Sequence, residues 1–154
     1  MYRLNRTIIK TAIFLSFITV SCAASDSESI DFDKNKAGGL YEMSQTGEQF
    51  EDYNSTEIYY LNDQSHISFK NFESISRQED NDYGSEGLLL ELDPIGASLF
   101  SEMTNRNLGR QLCFVINDKV VAAPFVNSAI DEGSIVMDMG ADGSLEDIIK
   151  LLEQ

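Results

Sequence analysis

The sequence predicts an α+β domain, a small and mostly antiparallel sheet with two helices packed on one side. Three observations predict it: apolar runs too short for helices, amphipathic stretches bounded by cap residues, and turn residues between them. Leu88 to Leu92, interrupted by Glu91 alone, is long enough for a buried strand. Asp93 then offers an N-cap side chain, and Pro94 suits the first helical position, where its missing N–H would have had no intrahelical partner. Ile95, Leu99 and Met103 recur at i, i+4 and i+8 as the expected buried stripe, and Gly109 supplies a left-handed stop after Leu108. Leu112 to Ile116 is a second apolar strand. Asn117-Asp118 turns it into Val120 to Ala123, which Pro124 ends. Ile135, Met137 and Met139 alternate with Ser134 and Asp138 as a further strand. Ser144 and Asp147 form a capping box ahead of Leu145, Ile148, Ile149 and Leu152. The order is strand, helix, hairpin, strand, helix.

This series of motifs resembles the head subdomain of the first periplasmic domain of SecD, a membrane protein accessory to bacterial Sec-dependent export. Gly96-Ala97 and Phe100 stand in that family's E-G-A-x-x-F motif, and Thr104, Asn107 and Gly109 in its T-x-x-N-x-G motif. Val120, Ala122-Ala123-Pro124 and Val126 match V-x-S-A-P-x-I, and Ile130 and Gly133 match I-x-x-G. Each residue is ordinary; the specificity lies in the series and its spacing. The hairpin departs, with Asn117-Asp118 where the family has Asp-Gly. The resemblance implies a SecD head-like fold and a role in engaging translocating chains. SecD also has a base subdomain and six membrane helices that couple proton flow to export. None of these is read in this sequence, so the expected role is binding without the motor.

The N-terminus carries a second signal. Arg3, Arg6 and Lys10 give a positive start, and Thr11 to Val20 is an apolar run of signal-peptide length, too short for a permanent membrane span. It ends at Thr19-Val20-Ser21-Cys22, which resembles a lipobox with Thr19 where an aliphatic residue is usual. Residues 1–21 are read as a lipoprotein signal peptide and Cys22 as the lipidated residue, in preference to a plain secretory signal with a chance cysteine. Ala23, not Asp, follows Cys22, which in a proteobacterium directs a lipoprotein to the outer membrane. The expected location is the bacterial envelope, lipid-anchored and facing the periplasm, with membrane contact through the anchor only. With Cys22 acylated, Cys113 is left without a disulfide partner. Its place in Leu112 to Val115 marks it as a buried small apolar side chain.

Residues 22–154 carry 8 Lys/Arg against 26 Asp/Glu, a net charge of −18. Such a surface repels nucleic acid and anionic headgroups, so neither is expected as a partner. The expected partner is polypeptide or another envelope protein. Residues 22–57 read as the lipidated cysteine and an acidic flexible tether, with Ser25 to Ser29 and Gly38-Gly39 inside it and no sustained period. As a random coil of this length it would reach roughly 30–35 Å. The domain is expected over residues 58–154, beginning with the β-prone Ile58 to Leu61 and a turn at Asn62-Asp63. Gln78 to Gly84 is expected as an acidic hairpin loop.

Catalytic chemistry is sparse. His66 is the only histidine and is expected at the surface in a polar loop, without the G-x-S-x-G elbow of a serine hydrolase. One histidine and one buried cysteine do not make a zinc site. Asp80, Asp82 and Glu86 lack the glycine and terminal glutamate of an EF-hand, and no phosphate-binding loop occurs. The expectation is therefore no catalytic residue, no metal and no cofactor. The predicted activity is non-catalytic binding of polypeptide, accessory to export or envelope assembly. The loop after the hairpin supplies the candidate contacts Phe125, Val126 and Ile130. Two rivals are a structural or inhibitory lipoprotein docking on one folded partner, and a hydrolase whose carboxylate pair is hidden in the sequence.

Overall fold

The computed structural model describes residues 27–80, 85–138 and 144–154. The chain runs β1 (Gly38–Asp52), β2 (Ile58–Ser68), a single 3-10 turn at Phe69–Asn71, β3 (Phe72–Asp80), β4 (Ser85–Leu92) and α1 (Pro94–Arg106). It continues through β5 (Leu112–Ile116), β6 (Lys119–Ala122), β7 (Ser134–Asp138) and α2 (Ser144–Glu153). The C-terminal half thus has the order read from its punctuation. Asp93 caps α1, its Oδ1 accepting from the Gly96 amide at 2.7 Å. Asn117 and Asp118 have φ of 49° and 62°, the paired left-handed residues of a type I′ turn.

The architecture differs from a single sheet. Four strands lie in the order β2-β1-β5-β6 and three in the order β3-β4-β7. All ladders are antiparallel except a short parallel pairing of β1 with β6, at Glu51 with Lys119 and Asp52 with Val120. That pairing closes the larger sheet. β1 leaves β5 after Glu42, bends through bulges between Tyr41 and Glu48, and returns over the sheet to β6. Tyr41, Phe50, Leu61, Cys113, Val115 and Val120 fill the resulting small barrel.

β1 also corrects the expected tether. Much of residues 22–57 is the central strand of the larger sheet, paired with both β2 and β5. Gly38-Gly39 is no flexible spacer: φ is 145° and 134°, and a Cβ would lie 2.3 Å from the Val115 carbonyl oxygen or 2.0 Å from that of Ile67. Glycine is needed there because backbone crosses backbone. Upstream, the Ile30 amide donates to the Ile75 carbonyl at 2.9 Å and the Arg77 amide to Glu28 at 2.8 Å. The fold therefore already includes residues 28–30 and does not start at 58.

The main core lies between the two sheets. Phe69, Phe72 and Phe114 meet there, with ring centroids 5.2 to 6.3 Å apart. Leu88, Leu90 and Leu92 of β4 face it, as do Leu145, Ile148 and Leu152 of α2. Each such side chain contributes roughly 1.5–3 kcal/mol on burial. α1 enters the core by a different stripe from the expected one. Gly96, Phe100, Met103 and Thr104 are buried, whereas Ile95 is 65% and Leu99 40% exposed. The reason is clearance: at Gly96 a Cβ would lie 2.7 Å from the Asn71 carbonyl oxygen. Only glycine lets the helix approach so closely, and that contact fixes its rotation.

Candidate functional site

A groove of about 420 Å³ opens between the segment after β6 and the free side of β7. Its first wall is made by the chain that follows the hairpin. Pro124 to Val126 runs antiparallel to the approach to β5: Leu112 donates to the Pro124 carbonyl at 3.0 Å, Val126 to Arg110 at 2.9 Å and Gly109 to Val126 at 2.9 Å. Gly109, at φ 72°, turns the chain out of α1 in the left-handed conformation needed to reach this pairing. Asn107 is buried, and its Nδ2 donates to the Met103 carbonyl at 2.8 Å. Thr104 closes the wall at its far end. Its Oγ1 accepts from the Ile130 amide at 3.1 Å while bonding back to the Phe100 carbonyl at 3.0 Å. Thr104 and Gly109 thus tie residues 124–130 to the end of α1, which Asn107 closes between them.

The second wall is β7, an outer strand of its sheet. Ile135 and Met137 turn toward the core; Ser134 and Val136 turn away, and Val136 is 61% exposed. The backbone follows the same alternation. Leu92 donates to the Gly133 carbonyl at 2.8 Å, and the register from Glu91–Ser134 to Gly87–Asp138 is unbroken. Opposed residues in an antiparallel ladder alternate between bonded and non-bonded pairs. Ser134 and Val136 therefore aim their N–H and C=O groups away from β4, to the open side. Among the described residues nothing pairs with these four groups.

The three side chains expected to contact polypeptide all line this groove, in different states. Phe125 is 63% exposed and free to be covered, Ile130 is half-buried against the core, and Val126 is buried. Val126 holds the wall and offers little surface of its own. Sequence reasoning missed β7 as the opposing wall and Val136 as an exposed apolar group. An alternating strand gives no sign of which edge it occupies. Among the described residues the lining contains Asp138 and neither lysine nor arginine.

Other expected residues fall elsewhere. Cys113 lies inside the barrel with no exposure, and burial pushes its thiol up to about 12. His66 is on β2 and not in a loop. It is half-buried, its ring stacked on Tyr41 at 4.5 Å and its Nδ1 2.8 Å from the Asp63 carbonyl. Burial raises the Tyr41 phenol, with the charges of Asp118, Glu48 and Asp63 adding to it. Among the described residues no three His, Cys, Asp or Glu side chains gather as metal ligands. Cys22 with its signal segment, Asp82 and Met139 lie outside the described residues.

Residues 42–144 match the family described as the SecDF P1 head subdomain. Among curated proteins, the chain is 31% identical over 62 residues to protein translocase subunit SecD of Dictyoglomus turgidum, covering 40% of this chain and 16% of that one. It is 37% identical over 51 residues to SecD of Leptotrichia buccalis, covering 33% and 13%. Against protein translocase subunit SecDF of Thermus thermophilus it is 34% identical over 56 residues, covering 36% and 8%. It spans less than a fifth of the length of these relatives. The fold is similar to the crystal structure of SecDF in its super-membrane-facing form, with a TM-score of 0.57 and 18% identity over 75% of this chain and 18% of that one. A second structure, of SecDF as a membrane component that enhances protein export, gives 0.56 and 17% identity over 82% of this chain and 62% of that one.

Proposed function

The chain belongs to the SecDF P1 head family, and from that premise we propose that it is a non-catalytic polypeptide-binding protein of the bacterial envelope, accessory to export or envelope assembly. The observation that carries the reading is the groove, where exposed Phe125 and Val136 flank apolar side chains beside main-chain donors and acceptors that are unpaired among the described residues. An unfolded segment offers what this surface can pair with, apolar side chains together with backbone groups. The names of the relatives point the same way, to protein translocation. Phe125 and Ile130 make the contacts, and Val126 holds the wall on which they stand.

The reading includes a lipid anchor on Cys22, facing the periplasm and directed to the outer membrane by Ala23. Its support is the charged start, apolar run and lipobox of residues 1–22. Among the described residues no helix is long and apolar enough to cross a membrane. A second reading, docking on one folded partner, draws on Ile95 and Leu99 exposed along α1.

Titration with unfolded presecretory polypeptide, followed by amide shifts, separates the two. Shifts confined to residues 124–130 and 134–137 support polypeptide capture; silence there at high peptide concentration removes it. Recovery of one stoichiometric partner on the α1 face would favour the second reading. Mass spectrometry of the mature N-terminus tests the anchor, and an unmodified Ala23 or Ala24 would exclude it.

A further inference from the structure

We propose that β7 takes up an extended basic segment of polypeptide as an added antiparallel strand, alternate side chains of which enter the groove. The proposal rests on the polypeptide-binding reading above and specifies its mode and its substrate class.

The opposite edge of the same sheet already works this way. Residues Glu28 to Ile30 lie extended along β3 in an antiparallel bridge, Ser29 opposite Ser76. Two main-chain bonds hold them, Ile30 to Ile75 and Arg77 to Glu28, and the Ile30 side chain is buried in the core. At the other edge, Ser134 and Val136 present the same kind of groups outward, and Ile135 and Met137 line the groove on the core side. An antiparallel strand set there places its bonded residues opposite Ser134 and Val136. Its intervening residues point into the groove against Ile135, Val126 and Phe125.

Charge selects the occupant. A second copy of this chain would bring another net charge of −18 over residues 22–154 against the first, and would be repelled. Asp131 and Glu132, both exposed, stand just before β7. Lysine or arginine flanking the apolar residues of an incoming segment meets these carboxylates favourably.

The test uses the full chain in detergent micelles and the peptide Lys-Val-Thr-Val-Thr-Val-Lys, with valines for the groove and threonines for the outer face. Three variants accompany it: threonines N-methylated, valines N-methylated, and both lysines replaced by glutamate. Affinity is read by calorimetry and the contact by exchange of the Ser134 and Val136 amides. The parent peptide is expected to slow exchange at both amides at least tenfold. Threonine methylation removes the bonds facing β7 and should weaken binding at least tenfold; valine methylation should change it less than twofold. The glutamate peptide should bind at least tenfold more weakly at low salt. Equal affinity of all methylated peptides would overturn strand addition while leaving polypeptide binding intact. No binding by any peptide would overturn both. Equal binding of the lysine and glutamate peptides would overturn the basic preference. Concentration-dependent dimerisation protecting Val136 without peptide would make a second copy the occupant.

Discussion

The hydroxyl of Thr104 and the amide of Ile130, 26 residues apart in sequence, meet at 3.1 Å and join the last turn of α1 to the wall of the groove. The same hydroxyl bonds to the Phe100 carbonyl one turn back, so the wall is referenced to the helix and not to solvent. Thr104→Val keeps the shape and leaves the Ile130 amide unsatisfied. A loss of about 1–3 kcal/mol is expected, with exchange at Ile130 accelerated before the core opens. Denaturant titration and amide exchange together check it.

The boundary of the fold gives a sharper outcome. A fragment of residues 58–154 lacks β1, which pairs with β2, β5 and β6, and is expected to remain unfolded. Residues 27–154 should unfold cooperatively. Removing residues 145–154 from that fragment takes away Leu145, Ile148 and Leu152, whose combined burial rivals a domain's whole net stability. Circular dichroism melts of the three fragments distinguish these cases.

Arg106 pins the end of α1 to the bend in β1. Its Nε donates to Glu42 Oε1 at 2.5 Å, and a terminal nitrogen reaches Ser65 Oγ at 2.8 Å. Glu42 is only 9% exposed, so Arg106→Ala leaves a nearly buried carboxylate without its cation. A loss of about 2 kcal/mol is expected, and Arg106→Lys, which cannot span both partners, should recover only part of it. Urea midpoints of the two variants are the measurement.

Alkali should open the barrel. Burial raises Cys113 to about 12 and also lifts Tyr41 above the ordinary phenol range. Both groups hold their protons more tightly folded than unfolded. Their contribution is complete below the unfolded thiol value and falls as pH climbs toward 12. Stability should therefore decline from about pH 9 upward. Cys113→Ala should be somewhat less stable at neutral pH and show a shallower alkaline decline. Thiol reagents should label native Cys113 only as fast as the molecule unfolds.

Much of this architecture was legible because its local signals agree: Asp93-Pro94 starts α1, Asn117-Asp118 turns the hairpin, and periodicity marks α2. β1 was not. Its sequence mixes Gly38, Gly39 and Gly47 with Glu42, Glu48 and Glu51, and its burial is broken by the bend. The glycines signal close backbone crossing there, and composition alone cannot tell that from flexibility. The α1 stripe misled for the same reason. Ile95 and Leu99 are apolar yet outside, and Gly96 and Thr104 are inside because space and hydrogen bonding decide those places. The motif series pointed to Phe125, Val126 and Ile130, which the structure brings to one groove; Val136 needed the sheet order.

The surface proposed to meet polypeptide is made of residues 124–130 and β7. The most direct measurement places a photo-crosslinking amino acid at Phe125 and, separately, at Tyr60 of β2, in cells exporting a labelled secretory protein. Crosslinks to the exported chain at position 125, strongest during export and absent at position 60, are the expected result. Equal capture at both positions, or none at 125, would contradict it.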